Sequence, residues 1–119
     1  MSEEQVVKLV NEAAAILAAL GLPRRQQNER SAMCLLSLLD MRPGRTWADA
    51  LSPLMGITPI IEWAREHLGK KWAPNSREGI RKSTIHHFVE AGLILYNPDE
   101  ASRPDNSPLA AYQIEPLAV

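Results

Sequence analysis

The sequence predicts a mainly α-helical domain whose last two helices, joined by a short turn, lead into a two-stranded hairpin. Three observations carry this prediction. Apolar residues recur at spacings of three and four in the first forty positions. Helix-start chemistry at Thr58-Pro59 and at Asn75 is answered by helix-stop glycines at Gly69 and Gly92. Two strand-like runs then flank a segment rich in Asn, Asp, Ser and Pro.

The first helix is expected from Glu3 to Leu20. Val6, Val7, Val10, Ala14, Leu17 and Ala18 form its apolar face, and Gly21 with Pro23 ends it. A second helix runs from Asn28 to Asp40 with a stripe of Ala32, Leu35, Leu36 and Leu39, closed by Pro43-Gly44. Both read as scaffold. Thr46 and Asp49 have the spacing of a capping box over a short helix that ends before Pro53.

Thr58 as N-cap and Pro59 as first helical residue open the next helix, which runs to about Leu68. Lys70 to Pro74 connects it to a helix from Asn75 to Ala91, opened by a capping-box spacing of Asn75 and Glu78. Leu93 to Tyr96 reads as a strand, Asn97 to Pro108 as a loop and Ala110 to Ile114 as the returning strand. Helix, turn, helix and hairpin is the order of a winged helix-turn-helix, here with extra N-terminal helices and a C-terminal β-hairpin wing. Fold order alone does not fix function.

A chain of 119 residues fits one domain, residues 1–119, and can bury a core without disulfide or metal. Cys34, the single cysteine, lies in an apolar run and reads as a buried, inert thiol. The start Met1-Ser2-Glu3-Glu4 is acidic where a signal peptide is basic, and the apolar stretch from Ala13 to Leu22 is too short to span a bilayer, so a soluble cytoplasmic protein is expected.

The net charge of −1 decides nothing by itself. Its distribution is more informative. Arg65 to His87 holds six basic residues (Arg65, Lys70, Lys71, Arg77, Arg81, Lys82) against Glu66 and Glu78, a net of +4 that leaves −5 for the remainder.

At about 100° per residue, Ile80, Thr84, Ile85, Phe88 and Ala91 fall on one side of the helix, with Val89 at its edge. Gly79, Lys82, Ser83, His86 and Glu90 fall on the other. An exposed glycine beside Lys, Ser and His suits close approach to a DNA groove, where Lys meets guanine or phosphate and Ser meets either edge type. Arg77 and Arg81 continue the apolar stripe toward the helix start, where they reach DNA if that end protrudes or merely solvate it if not. The candidate DNA contacts are therefore Lys70 and Lys71 in the turn, Asn75, Ser76, Arg77, Gly79, Arg81, Lys82, Ser83 and His86 on the helix, and Arg103 and Asn106 in the wing. Asp99, Glu100 and Asp105 make the wing tip acidic, which argues against a firm phosphate grip there.

Catalytic chemistry is not legible. His86 and His87 are adjacent and diverge by about 100° on a helix, a poor metal pair. No phosphate-cradling glycine loop, no serine on a strained elbow and no Glu-x-Lys of a metal-dependent nuclease occurs. The three tryptophans read as packing: Trp47 and Trp63 in the core, Trp72 under the turn.

The stretch GITPIIEWAREHLGKKWAPNSREGIRKSTIHHFVEAGLILYNPDEASRPDNSPLAAYQIEP resembles the N-terminal region of BsuBI/PstI-family type II restriction endonucleases, as does the preceding NERSAMCLLSLLDMRPGRTWADA. The most specific segments are APNSREGIR, HHFVEAGL, YNPD and SRPDNSP. Together they cover about residues 28 to 116. The resemblance implies a helix-turn-helix domain N-terminal to a catalytic domain of the PD-(D/E)XK type, which uses Mg²⁺ to cut DNA at a short palindrome. The chain ends at Val119, so this nuclease core is expected outside it, and with it the Mg²⁺. Arg77, Arg81, Lys82 and His86 match the family's basic helix.

The resulting expectation is a double-stranded DNA-binding domain of a restriction enzyme. Its expected partners are DNA, a C-terminal nuclease domain of the same parent chain and, because palindromes mirror two-fold symmetry, a second copy. The alternatives are a protein-interaction or dimerisation module, which the acidic remainder suits, and a stand-alone DNA-binding regulator.

Overall fold

The computed structural model describes residues 3–96 and 111–114. Four helices and a small antiparallel sheet make up the described chain. They are α1 (Glu3–Ala19), α2 (Glu29–Leu38), α3 (Ile57–Leu68), α4 (residues 76–90), β1 (Ile94–Tyr96) and β2 (Tyr112–Ile114). Short 3₁₀ turns occur at Arg24–Gln26 and Trp47–Asp49.

α2 is the hub. Asn28 caps it by accepting from the Ser31 N–H at 2.8 Å. The predicted single stripe is too narrow: every residue from Ser31 to Leu39 is buried. A helix enclosed on all sides carries no polar face. α1 and α3 pack against α2, as do the middle of α4 and β2. The predicted face of α1 is rotated as well. Leu9, Ala13 and Leu17 point inward, whereas Val7 is 53% exposed. Position relative to α2, not apolarity alone, selects the inner face.

α2 ends in a left-handed residue, Asp40 at φ 49, and the Met41 N–H closes back on the Leu36 carbonyl at 2.9 Å. The Asp40 carboxylate then accepts from the Trp63 indole at 2.7 Å, fixing α3 against the end of α2. Trp63 is in the core, and Trp47 is half-buried with its indole donating to Glu12 at 3.1 Å. At the short helix the Asp49 carboxylate accepts from the Thr46 N–H at 3.1 Å, as the spacing predicts.

α3 starts two residues earlier than expected. Gly56 is its N-cap, so Pro59 is the third helical residue, where a missing N–H is still harmless. Gly69 at φ 71 ends it. The Asn75–Glu78 capping box does not form, since Asn75 makes no side-chain cap bond and Glu78 turns to Arg81. At the far end Gly92 (φ 75) lets the Leu93 N–H reach the Phe88 carbonyl at 3.0 Å and sends the chain into β1.

β1 and β2 pair with Ile94 opposite Ile114 and Tyr96 opposite Tyr112. Tyr112 also forms a two-bond bridge with Met55, so the segment before α3 lies along the other edge of β2.

Candidate nucleic-acid interface

α4 is not a plain α-helix. Ser76–Ile80 and His86–Glu90 are α-helical, but Arg81–Ile85 between them is a π turn, closed by the His86 N–H on the Arg81 carbonyl. The core explains the need for it. Ile80, Thr84 and Phe88 are all fully buried and recur every four residues. In an α-helix such a column drifts by about 40° per step, since four residues exceed one turn of 3.6. One wider turn absorbs the drift and keeps all three buried.

This arrangement corrects the helical wheel in two places. Ala91 is exposed rather than buried. Arg81 is half-buried and turns to Glu78. Gly79 is not an open approach surface: it is half-buried, and a Cβ there would stand 3.3 Å from Nη1 of Arg30. Lys82, Ser83 and His86 are exposed.

Between α4 and the hairpin lies a cleft of about 410 Å³ lined by Arg81, Lys82, His86, Val89, Tyr96 and Tyr112. The tyrosines stack across the strand pair, ring centres 5.2 Å apart and planes 21° from parallel. They form one wall, and the three basic side chains form the opposite rim. Arg81 donates from Nε and Nη2 to one Glu78 oxygen, each at 2.6 Å. That bond raises the Arg81 pKa and lowers that of Glu78. His86 meets Glu90 at 2.8 Å. Among the described residues Lys82 has no carboxylate within ion-pair distance, and its charge reaches Glu78 at longer range, helping to lower that carboxyl's pKa.

The remaining candidates are dispersed. Arg77 donates from Nε to the Thr58 hydroxyl at 3.2 Å, joining the starts of α4 and α3. Lys70 pairs with Glu29 at 3.0 Å and thereby ties the turn to α2. Lys71 and Asn75 are exposed, Ser76 half-buried. Arg103 and Asn106, with the predicted acidic wing tip, lie outside the described residues. Sequence reasoning missed Val89, Tyr96 and Tyr112 as cleft residues. The only signal for the tyrosines was their place in two strand-like runs, and their stacking depends on the pairing register.

Among the described residues no group of three or more His, Cys, Asp or Glu side chains is placed to hold a metal ion. No described helix is long and apolar enough to cross a membrane.

Over residues 7–119 the sequence matches the family described as the BsuBI/PstI restriction endonuclease HTH domain. The chain belongs to this family. It is 59% identical over 106 residues to the type II restriction enzyme BsuBI of Bacillus subtilis, covering 89% of this chain and 34% of that enzyme. It is 41% identical over 107 residues to the type II restriction enzyme AplI of Arthrospira platensis, covering 90% of this chain and 33% of AplI. Among solved structures, SdaI restriction endonuclease superposes with a TM-score of 0.88 at 35% identity, over 92% of this chain and 34% of SdaI. This BsuBI/PstI-type HTH domain thus spans about a third of the length of the relatives it matches.

Proposed function

We propose that the chain is the double-stranded DNA-binding domain of a type II restriction endonuclease and folds as a winged helix-turn-helix. α3 and α4 are the helix pair, and β1 and β2 begin and end the wing. The Met55–Tyr112 bridge supports this reading, because it pairs the segment before the helix pair with β2, where a winged arrangement has a short strand. In the proposed complex the exposed side of α4, with Lys82, Ser83 and His86, faces the major groove.

The observation that carries the proposal is the cleft beside that face. Its basic rim and its apolar and aromatic wall match the two sides of a sugar–phosphate strand, anionic at phosphate and apolar at deoxyribose. Arg81, Lys82 and His86 would meet phosphate while Val89 and Tyr96 pack on sugar. The length of the relatives beyond this domain leaves room for a nuclease domain, to which the proposal assigns the Mg²⁺ and the cutting.

Titrating a duplex of random sequence at increasing salt tests the proposal. Binding should fall as a straight line in log–log form, with a slope proportional to the phosphates neutralised. Salt-independent binding, or none at low salt, sinks it. The second reading, a protein-interaction module, is favoured by Leu51 and Leu54, which are 51% and 44% exposed beside the Met55 bridge. Absence of duplex binding together with a dimer in solution would favour that role.

A further inference from the structure

We infer that Arg30 is a positioning residue for the DNA-facing side of α4: it holds the π turn and so sets where Lys82, Ser83 and His86 point. The inference rests on the DNA-binding reading and extends it to a residue on a different helix that belongs to the scaffold.

Arg30 lies in the first turn of α2 and is half-buried. Its Nε donates to the Thr84 hydroxyl at 3.1 Å, across 54 residues of sequence. Thr84 is fully buried within the π turn, between Ile80 and Phe88. A hydroxyl in that apolar column is costly without a partner, and Arg30 supplies one. The other end of the guanidinium lies against Gly79, with Nη1 3.3 Å from where a Cβ would stand. Gly79 is therefore not an approach surface for DNA but a point where the Arg30 guanidinium comes close to the helix. Arg30 thus touches α4 just before the π turn and within it.

A π turn is rare in isolation and persists where tertiary contacts favour it over the α form. Here the two forms differ in function. Relaxation to a plain α-helix would rotate Lys82, Ser83 and His86 relative to Arg81 and the start of α4, opening the common rim of the cleft. The planar Nε–H and flat guanidinium make Arg30 specific for this task. A lysine keeps the charge but lacks both.

The test compares Arg30→Met, Arg30→Lys, Thr84→Val and the Arg30→Met/Thr84→Val double variant with the parent chain. Each is titrated with a random-sequence duplex across salt concentrations, at temperatures where circular dichroism shows it folded. Each single variant should weaken binding about tenfold and flatten the salt slope by about one phosphate. The double variant should also lose about tenfold rather than about a hundredfold, because both changes break one contact. Additive losses, unchanged slopes or parent-like binding by Arg30→Lys would overturn the inference, the last by showing that charge alone suffices. Amide exchange of His86, whose N–H closes the π turn, reads the clamp without DNA. It should accelerate in Arg30→Met and Thr84→Val, and unchanged exchange overturns the inference. If the parent chain fails to bind duplex while this exchange responds, the DNA reading fails and the clamp stands.

Discussion

Lys82 stands exposed on α4 with no carboxylate within ion-pair distance among the described residues, while Arg81 is paired with Glu78 at 2.6 Å and His86 lies 2.8 Å from Glu90. An ammonium without a direct carboxylate pair gains most from a phosphate. Lys82→Ala is therefore expected to lower the salt slope of duplex binding by about one phosphate, whereas a change in base preference at one position, costing about 1–3 kcal/mol, would reveal a base contact instead. Fluorescence anisotropy on random and selected duplexes separates the two outcomes. Cys34 makes a second prediction. Burial pushes its thiol up to about 12, only partly opposed by Arg30. A raised folded pKa means stability that is intact below the unfolded value of about 9 and is lost as pH rises toward 12. Native chain at pH 8 should resist thiol reagents until unfolded, and denaturation midpoints should fall above about pH 9. Rapid labelling of the folded chain would contradict both. Lys82 was legible because exposure on a helix follows from spacing. Gly79 was misread because what lies over it, Arg30, comes from another helix.

Element boundaries were legible within a residue or two where local chemistry sets them. Gly92 is an example: its φ of 75 is open to glycine and costly to others, and nothing lies within 4 Å of its absent Cβ. Gly92→Ala should cost about 1–2 kcal/mol, all of it backbone strain, and lower the melting temperature by several degrees. An unshifted melt would show that the turn has another route from α4 into β1. Elements whose form depends on neighbours were not legible. A wheel with a fixed angle per residue contains no π turn, so it placed the exposed Ala91 on the apolar side with Phe88. The column of Ile80, Thr84 and Phe88 at spacings of four was present in the sequence as a trace of the wider turn. The capping box at Asn75 failed for a similar reason. Glu78 had a stronger partner in Arg81 one turn on, and a charged pair with a short bond outcompetes a neutral cap.

As a whole, the molecule arranges three helices and strand β2 around α2, and α4 presents its outer face beside the hairpin. The relatives are about three times as long, so binding and cutting are expected to be separable. Supercoiled plasmid incubated with this 119-residue chain and Mg²⁺ should remain uncut while the chain still shifts the plasmid's mobility. Nicking that persists in a chain purified under denaturing conditions and refolded would place catalytic groups within this domain.

By itself the sequence determined the helix–turn–helix–hairpin order, the concentration of positive charge from Arg65 to His87 and the family resemblance. Each of these rests on short-range spacing, local turn chemistry or direct likeness of residues. Tertiary structure alone decided that α2 is buried on every side, that α4 contains a π turn whose Thr84 accepts from Arg30, and that two tyrosines distant in sequence wall a cleft against three basic side chains. These depend on contacts between residues far apart in the chain, and no local period encodes which distant side chain will fill a given space.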